Sequence, residues 1–299
     1  MYFLVDQSNL NAPRSRLHGP LMGSSVLLEL DREMPFRGFA IKYVMQGTEH
    51  YTVNGNHYAV REGSYLLANA HCRGRVAIES AEPVLGLCAD LTDGVLNGMV
   101  SACSFPEAMD EPSFASFFTS EEFPENIRAG VGTQVGAIMR SLAEVIHADP
   151  YHAHRIEREV YLALAEAVIA DHRALVPGMR RMGTVRSGTR KDLFRRVERA
   201  RAFMHANLNI AIDVGAMAKE AAMSEFHFFR AFRALHGTTP HQYHRALRLE
   251  LGRELIICGA DVSLAAMQCG FPDIACFSKA FKRKFGQPPS ATVGGSSRI

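Results

Sequence analysis

The sequence predicts an α+β protein: an antiparallel β part followed by amphipathic helices, then an all-α C-terminal domain built on a repeated helix pair. Three observations lead there. Short strand signals separated by Gly and Asn crowd residues 36–91, helical spacing takes over from residue 129, and residues 213–289 repeat themselves with an offset of 48 to 49.

The 299 residues are 47% hydrophobic, enough for two domains that each bury a core. Charged residues make up 21%, which excludes the disordered and fibrous classes. No apolar run approaches the roughly 18–20 residues that span a bilayer. Residues 1–11 lack the basic and apolar regions of a signal peptide, so a cytoplasmic protein without a membrane partner is expected. The six cysteines, Cys72, Cys88, Cys103, Cys258, Cys269 and Cys276, form no CxxC pair and no Cys/His zinc spacing. They read as small apolar side chains in a reducing compartment. Charge is unevenly shared: residues 186–299 carry 18 Lys and Arg against 9 Asp and Glu, whereas residues 1–185 carry 15 against 22. A basic domain joined to an acidic one points to a polyanion partner for one end only.

Residues 1–175 form the first expected domain, with a β part over about 20–100 and helices over about 129–172. Strands are expected at 38–46, 51–53, 57–60, 64–67, 75–78 and 85–89. Asn54-Gly55, between YTV and NHYAV, is a hairpin signal because both residues accept positive φ. Closely spaced strands without intervening helices argue for an antiparallel sandwich or small barrel. Ile138, Leu142, Val145 and Ile146 then fall at helical spacing, Asp149-Pro150 breaks that helix, and Ile156, Val160, Leu164, Ala167 and Val168 define a second one ending near His172. This pair is either an internal helical hairpin or a dimer surface. Residues 176–190, with Pro177, Gly178, Gly183 and Gly188 and no apolar period, read as a linker. The second domain is then 191–299.

Within it, Asp213-Val214, Ala218 and Ala222 recur 48 residues later as Asp261-Val262, Ala266 and Gly270. Phe228, Phe232, Gly237 and Pro240 recur 49 residues later as Phe277, Phe281, Gly286 and Pro289. Each copy reads as a helix, a tight turn and a second helix. Asp213 and Asp261 suit the N-cap of the first helix, and Ser224 and Asp273 suit that of the second. Phe228, Phe232 and Leu235 form one buried stripe, and Phe277, Phe281 and Phe285 form its counterpart. Gly237 and Gly286 are stop signals. A longer helix joins the copies, with Thr239 as N-cap, Pro240 in its first turn and Gly259 past its end. Its roughly 18 residues span about 27 Å at 1.5 Å per residue. That is of the order of the helical repeat of DNA, about 34 Å. This is the shape of two helix-turn-helix units joined by a long helix, each offering its second helix to a major groove. The alternative is an ordinary helical bundle that binds no DNA.

At this point residues 192–291 resemble the DNA-binding domain of the AraC/XylS family of bacterial regulators. In SLAAMQCGFPDIACFSKAFKRKFGQPPSA the resemblance rests on Ala266, Gly270, Phe271, Asp273, Phe277, Ser278, Lys279, Phe281, Lys282, Phe285, Gly286, Pro289 and Ser290. In MSEFHFFRAFRALHGTTPHQY it rests on Ser224, Phe228, Arg230, Phe232, Gly237, Pro240 and Tyr243. It implies a sequence-specific DNA-binding transcription regulator, commonly an activator, with double-stranded DNA, RNA polymerase and a second copy of itself as partners. A fainter likeness of YVMQGTEHYTVNGNHYAVREGSYLLANAH to the cupin-like effector domain of such regulators implies a small molecule inside an N-terminal barrel, with the 129–172 helices helping to form a homodimer.

Carried over by position, the DNA-contact candidates are Ser224, Glu225, Phe226, His227, Phe229, Arg230 and Arg233 in the first copy. In the second they are Asp273, Ile274, Ala275, Cys276, Ser278, Lys279 and Lys282. Arg230 is the foremost base reader, since Arg bridges guanine O6 and N7 or clamps a phosphate. Phe229 lies off the core stripe and suits either thymine methyls or packing against the other repeat. Ile274, Ala275 and Cys276 offer no bidentate contact, so the second helix is expected to position the backbone more than to read bases. Candidates for lining the barrel are Phe39, Tyr43, His50, Tyr51, Tyr58 and His71. His241 and His244, on the joining helix, are expected to face DNA, solvent or the other repeat.

No P-loop, GxGxxG or GxSxG is present. His50, His57, Glu62 and His71 lack the paired HxH of metal-binding cupins, and the HxH that does occur, His152-Ala153-His154, falls in the helical stretch, where i and i+2 face apart. No enzyme, metal or cofactor is therefore expected. Two readings of the N-terminal domain stay beside the effector reading: it only dimerises or binds a protein partner, or, remotely, it is a metal-binding cupin enzyme.

Overall fold

A computed structural model describes residues 2–10, 19–103, 116–121, 123–148, 157–173, 175, 178, 181 and 187–292. The predicted break at Asp149-Pro150, the HxH at 152–154, Ile156 and most of the predicted linker lie outside the described residues. The chain divides into two compact units, Met1–Glu198 and Arg199–Ile299.

Among the described residues the first unit is built on eight strands: β1 Tyr2–Asp6, β2 Leu21–Pro35, β3 Phe39–Gln46, β4 Thr48–Val53, β5 Asn56–Arg61, β6 Ser64–Ala68, β7 Arg73–Leu91 and β8 Asn126–Ala129. The paired order is β1-β2-β7-β3-β6-β8, with β4 bound to β5 and β7. The expected barrel is not a closed one. β1 pairs with β2 and β8 with β6, and no pairing joins these two ends among the described residues. The β4–β5 hairpin turns at Asn54-Gly55, both with positive φ (49° and 81°), as the sequence predicts. The two strands expected at 75–78 and 85–89 are one strand, β7, because it pairs with β2 on both sides of a bulge at Leu27/Glu29. β1, β2 and β8 were outside the strand segments expected from the sequence. In β2, Gly23-Ser24-Ser25 masks a strand that half-buries.

Alternation splits the apolar residues between two faces. Phe39, Ile41 and Tyr43 of β3 join one core with the helices α1 Asp93–Ala102, α2 Gln134–Ala148 and α3 Arg158–Arg173. Ala40 and Val44 join the other, with Tyr51, Tyr58, Val60, Val76 and Ile78. α2 buries Val135, Met139, Ala143 and Ile146, so it is rotated from the expected stripe. Ile138 and Leu142 are only half-buried and Val145 is 60% exposed. α3 buries Leu164, Ala167 and Val168, as predicted.

Helix α4, Ser187–Ala206, contains the division between the units and begins inside the segment read as linker. Its first half is fixed to the first unit by two ion pairs: Arg195–Glu125 at 2.6 Å and Arg128–Glu198 at 3.5 Å, the second with both side chains at most 2% exposed.

The second unit is all helix: α5 Val214–Glu220, α6 Glu225–His236, α7 Pro240–Ile257, α8 Val262–Gln268, α9 Ile274–Phe285 and the short α10 Pro289–Thr292. The four predicted N-caps act as such. Asp213, Ser224, Asp261 and Asp273 each accept a hydrogen bond from the backbone N–H three residues on. Thr239 and Gln242 complete a capping box ahead of α7, the arrangement that satisfies two orphan amides at once. α6 and α9 both end on a left-handed glycine, Gly237 and Gly286. No helix among the described residues is long and apolar enough to cross a membrane.

Candidate nucleic-acid interface and ligand cavity

The two helix pairs share one local design. α5 and α6 meet across a turn in which Ala222 has φ of 51°. α8 and α9 meet across one in which Gly270 has φ of 67°. The offset of 48 that relates these two residues in sequence thus relates two left-handed turns in space. A left-handed residue reverses the chain within one position, which lets the second helix cross the first closely.

Each second helix is divided between an inner and an outer face. Phe228, Phe232 and Leu235 of α6 are fully buried, as are Phe277 and Phe281 of α9, while Phe285 is half-buried. The outer face of α6 exposes Glu225, Phe226, His227, Arg230 and Arg233. Phe226 is 71% exposed, and the Arg230 guanidinium lies 5.5 Å from the centre of its ring. Phe229 is half-buried. The outer face of α9 exposes Ile274, Ala275, Cys276, Lys279 and Lys282, with Ser278 half-buried. Ser224 and Asp273 sit exposed at the two N-caps. The backbone amides around Cys276 hold the Asp273 carboxyl below the usual carboxylate range.

The α7 side chains hold the second pair in place, and sequence reasoning missed this. Arg248, 6% exposed, donates from Nε to Cys269 O at 2.6 Å and from Nη2 to Gly270 O, with its guanidinium 4.5 Å from the Phe271 ring centre. His244 is 2% exposed, with Nε2 3.1 Å from Asn207 O. It therefore faces the 207–211 loop rather than DNA, solvent or the second repeat. His241 is exposed.

Burial lowers the His244 pKa to about 4, against about 6.5 in an unfolded chain. Between those values the unfolded chain takes up a proton that the folded one refuses. Stability from this group is therefore complete above pH 6.5 and falls as pH drops towards 4, by up to about 3 kcal/mol. Urea unfolding followed by circular dichroism at pH 7 and pH 4.5 checks this. His244→Gln, which keeps a donor but does not titrate, is expected to lose measurably less stability over that range. An equal loss would remove His244 as the cause.

In the first unit, a cavity of about 470 Å3 lies among residues of β1, β2, β3, β4 and β7. Of the six candidates for lining a barrel, Tyr51 lines this cavity. Tyr58 is buried in the same core as Tyr51. Phe39 and Tyr43 stand on the opposite face, under the helices, and His50 and His71 are exposed. Phe39 and Tyr43 share one face of β3, and the sequence does not say which face of a strand meets the helices. Among the described residues no group of three or more His, Cys, Asp or Glu is placed to hold a metal ion.

Residues 217–294 match the family model described as a helix-turn-helix domain. Similar curated proteins include the probable transcriptional regulator LumQ of Photobacterium leiognathi, 33% identical over 89 residues that make up 29% of this chain and 36% of that protein. Another is the uncharacterized HTH-type transcriptional regulator YidL of Escherichia coli strain K12, 38% identical over 100 residues, 33% of this chain and 34% of that protein. The C-terminal unit is an AraC-type helix-turn-helix domain. The chain thus spans about a third of the length of the curated relatives it matches. Among solved structures, a probable AraC family transcriptional regulator from Rhodopseudomonas palustris CGA009 is 27% identical, covering 33% of this chain and 94% of that one, with a TM-score of 0.31.

Proposed function

We propose that this protein is a sequence-specific DNA-binding transcription regulator, whose AraC-type domain lays α6 and α9 in successive major grooves on one face of the duplex. The observation that carries this reading is the clean division of both helices. Their apolar stripes are spent inside the domain, while Phe226, Arg230 and Arg233, and Lys279 and Lys282, stand free on the outside. An excess of nine positive charges over residues 186–299 supplies the sequence-independent attraction to phosphate. α6 offers Arg and an exposed aromatic ring, the chemistry of base readout, whereas α9 offers Lys and small side chains, the chemistry of backbone positioning.

In the same reading the N-terminal unit senses a small molecule, and the chain acts in the cytoplasm as a homodimeric activator that positions RNA polymerase. The half-covered Ile138, Leu142 and Val145 on α2 favour pairing of two copies along that helix, and such pairing without a ligand is the second reading of this unit.

Selection of DNA sites with the purified full-length protein, followed by salt titration of the enriched site, tests the proposal. A site with two contact clusters about one helical turn apart is expected, with a salt slope that counts the phosphates neutralised. No enrichment in the presence or absence of cell extract would count against it. Arg230→Ala is expected to cost about 1–3 kcal/mol of binding and to relax the base preference at one position. Unchanged affinity and preference would remove Arg230 as a base reader.

A further inference from the structure

The cavity in the first unit has an apolar wall and a charged floor, and the floor is unbalanced. Phe3, Leu27, Leu30, Val76 and Ile78 supply the wall. Lys42, Glu49, Tyr51 and Asp90 supply the floor. Lys42 and Glu49 are 8% and 5% exposed, so both were carried out of bulk water when the sheet formed. Such charges persist only when paired or hydrogen-bonded.

Lys42 is already answered: its Nζ lies 3.2 Å from Asp90 Oδ1. Burial works against its charge, but Asp90 and its other anionic neighbours hold its pKa above the ordinary lysine value. Glu49 is only half answered. Its Oε2 accepts from Tyr51 OH at 2.5 Å, and Oε1 takes no hydrogen bond among the described residues. That oxygen lies over Gly86 and beside Ser25, where a Cβ on residue 86 would run into both. The glycine leaves the room that the carboxylate uses. Burial raises the Glu49 pKa, with Tyr51 and Lys42 pulling the other way.

Of the charged lining groups Arg32, Glu33 and Arg37 are exposed, so at the buried floor two carboxylates face one ammonium, and one carboxylate oxygen takes no hydrogen bond among the described residues. An anionic ligand would meet a lysine that is already neutralised and a second carboxylate that repels it. An alcohol would supply a donor but no charge. A protonated amine supplies both. We propose that this cavity binds a small amphipathic primary amine, its ammonium on Glu49 Oε1 and its apolar body against Phe3, Leu27, Leu30, Val76 and Ile78. This rests on the reading of the first unit as a small-molecule sensor and names the class of molecule. A cavity of about 470 Å3 falls in the range of about 300–1,000 Å3 usual for small-molecule sites.

The test uses the full-length protein without DNA and three probes with one chain length: n-hexylamine, 1-hexanol and hexanoate, each titrated at pH 7 by isothermal calorimetry. Hexylamine is expected to bind one to one and at least tenfold more tightly than either of the others. Glu49→Gln is expected to remove that preference while leaving hexanol binding in place, which reports an intact cavity. If Glu49→Gln fails to fold, Glu49→Asp serves: it keeps the charge, and the amine preference should survive at reduced affinity. Binding of no probe, a preference for hexanoate, or an amine preference that persists in Glu49→Gln would each overturn the proposal. DNA selection is measured separately. Failure here with DNA binding intact rejects the ligand class alone, and loss of DNA selection with amine binding intact rejects the regulator reading alone.

Discussion

Arg248→Ala is expected to destabilise the C-terminal unit by about 3–8 kcal/mol and to abolish DNA binding at 37 °C. Arg248 ties α7 to the turn of the second helix pair through Cys269 O and Gly270 O. Its removal leaves two carbonyls without their donor, one buried and one partly buried, each costing about 1–3 kcal/mol. The guanidinium stacked on Phe271 adds about 1–2 kcal/mol more. A domain has only about 5–15 kcal/mol in hand, so the loss removes most of the margin. Urea unfolding by circular dichroism reads the effect. Arg248→Met, which keeps the stem and lacks the donors, should fall between wild type and Ala. A loss below about 1 kcal/mol for Arg248→Ala would show that the turn holds without it.

Gly270→Ala is expected to cost about 2–5 kcal/mol for a different reason. At φ of 67° a Cβ crowds its own backbone, at about 1–2 kcal/mol. That Cβ would also lie well inside contact distance of Asn209 O and Ile210 Cα. Those are main-chain atoms that cannot swing aside, so the 207–211 loop or the turn must move. The matching residue of the first turn, Ala222, already carries a Cβ at φ of 51° and is exposed. The penalty at 270 therefore comes mostly from the neighbouring chain, not from the left-handed conformation. A thermal melt of Gly270→Ala beside Arg248→Ala checks both. A Tm within about 2 °C of wild type for Gly270→Ala would contradict the close packing described here.

The C-terminal unit was legible almost residue by residue, because its signals are short-range. A cap acts on an amide three residues away, and Asp213, Ser224, Thr239, Asp261 and Asp273 all bond where spacing predicts. The repeat also aligns Ala222 with Gly270, and the two prove to be the left-handed residues of the first and second turns. Arg248 and His244 escaped, since each acts on a carbonyl 21 to 37 residues away, and nothing local announces that. The N-terminal unit was less legible for the same reason. β7 is one strand only because β2 pairs along its length, and Lys42 and Glu49 look like solvated charges until the sheet curls over them. Tyr51 was singled out as an aromatic and proves to be the hydrogen-bond donor to Glu49.

The contacts between the 207–211 loop and the far end of its own domain bear on operator length. His244 holds Asn207 and the turn at Gly270 presses on Asn209, so the loop that leads into the first helix pair is seated against the turn of the second, to which α7 also joins it. Two reading heads on a slack tether would tolerate targets of several lengths. Heads seated in this way tolerate one. Each base pair inserted between the two contact clusters turns one cluster away from the other by about 34–36°, and the protein has no slack with which to follow. On the proposed reading, operators should therefore vary in sequence between the clusters while keeping their number of base pairs constant.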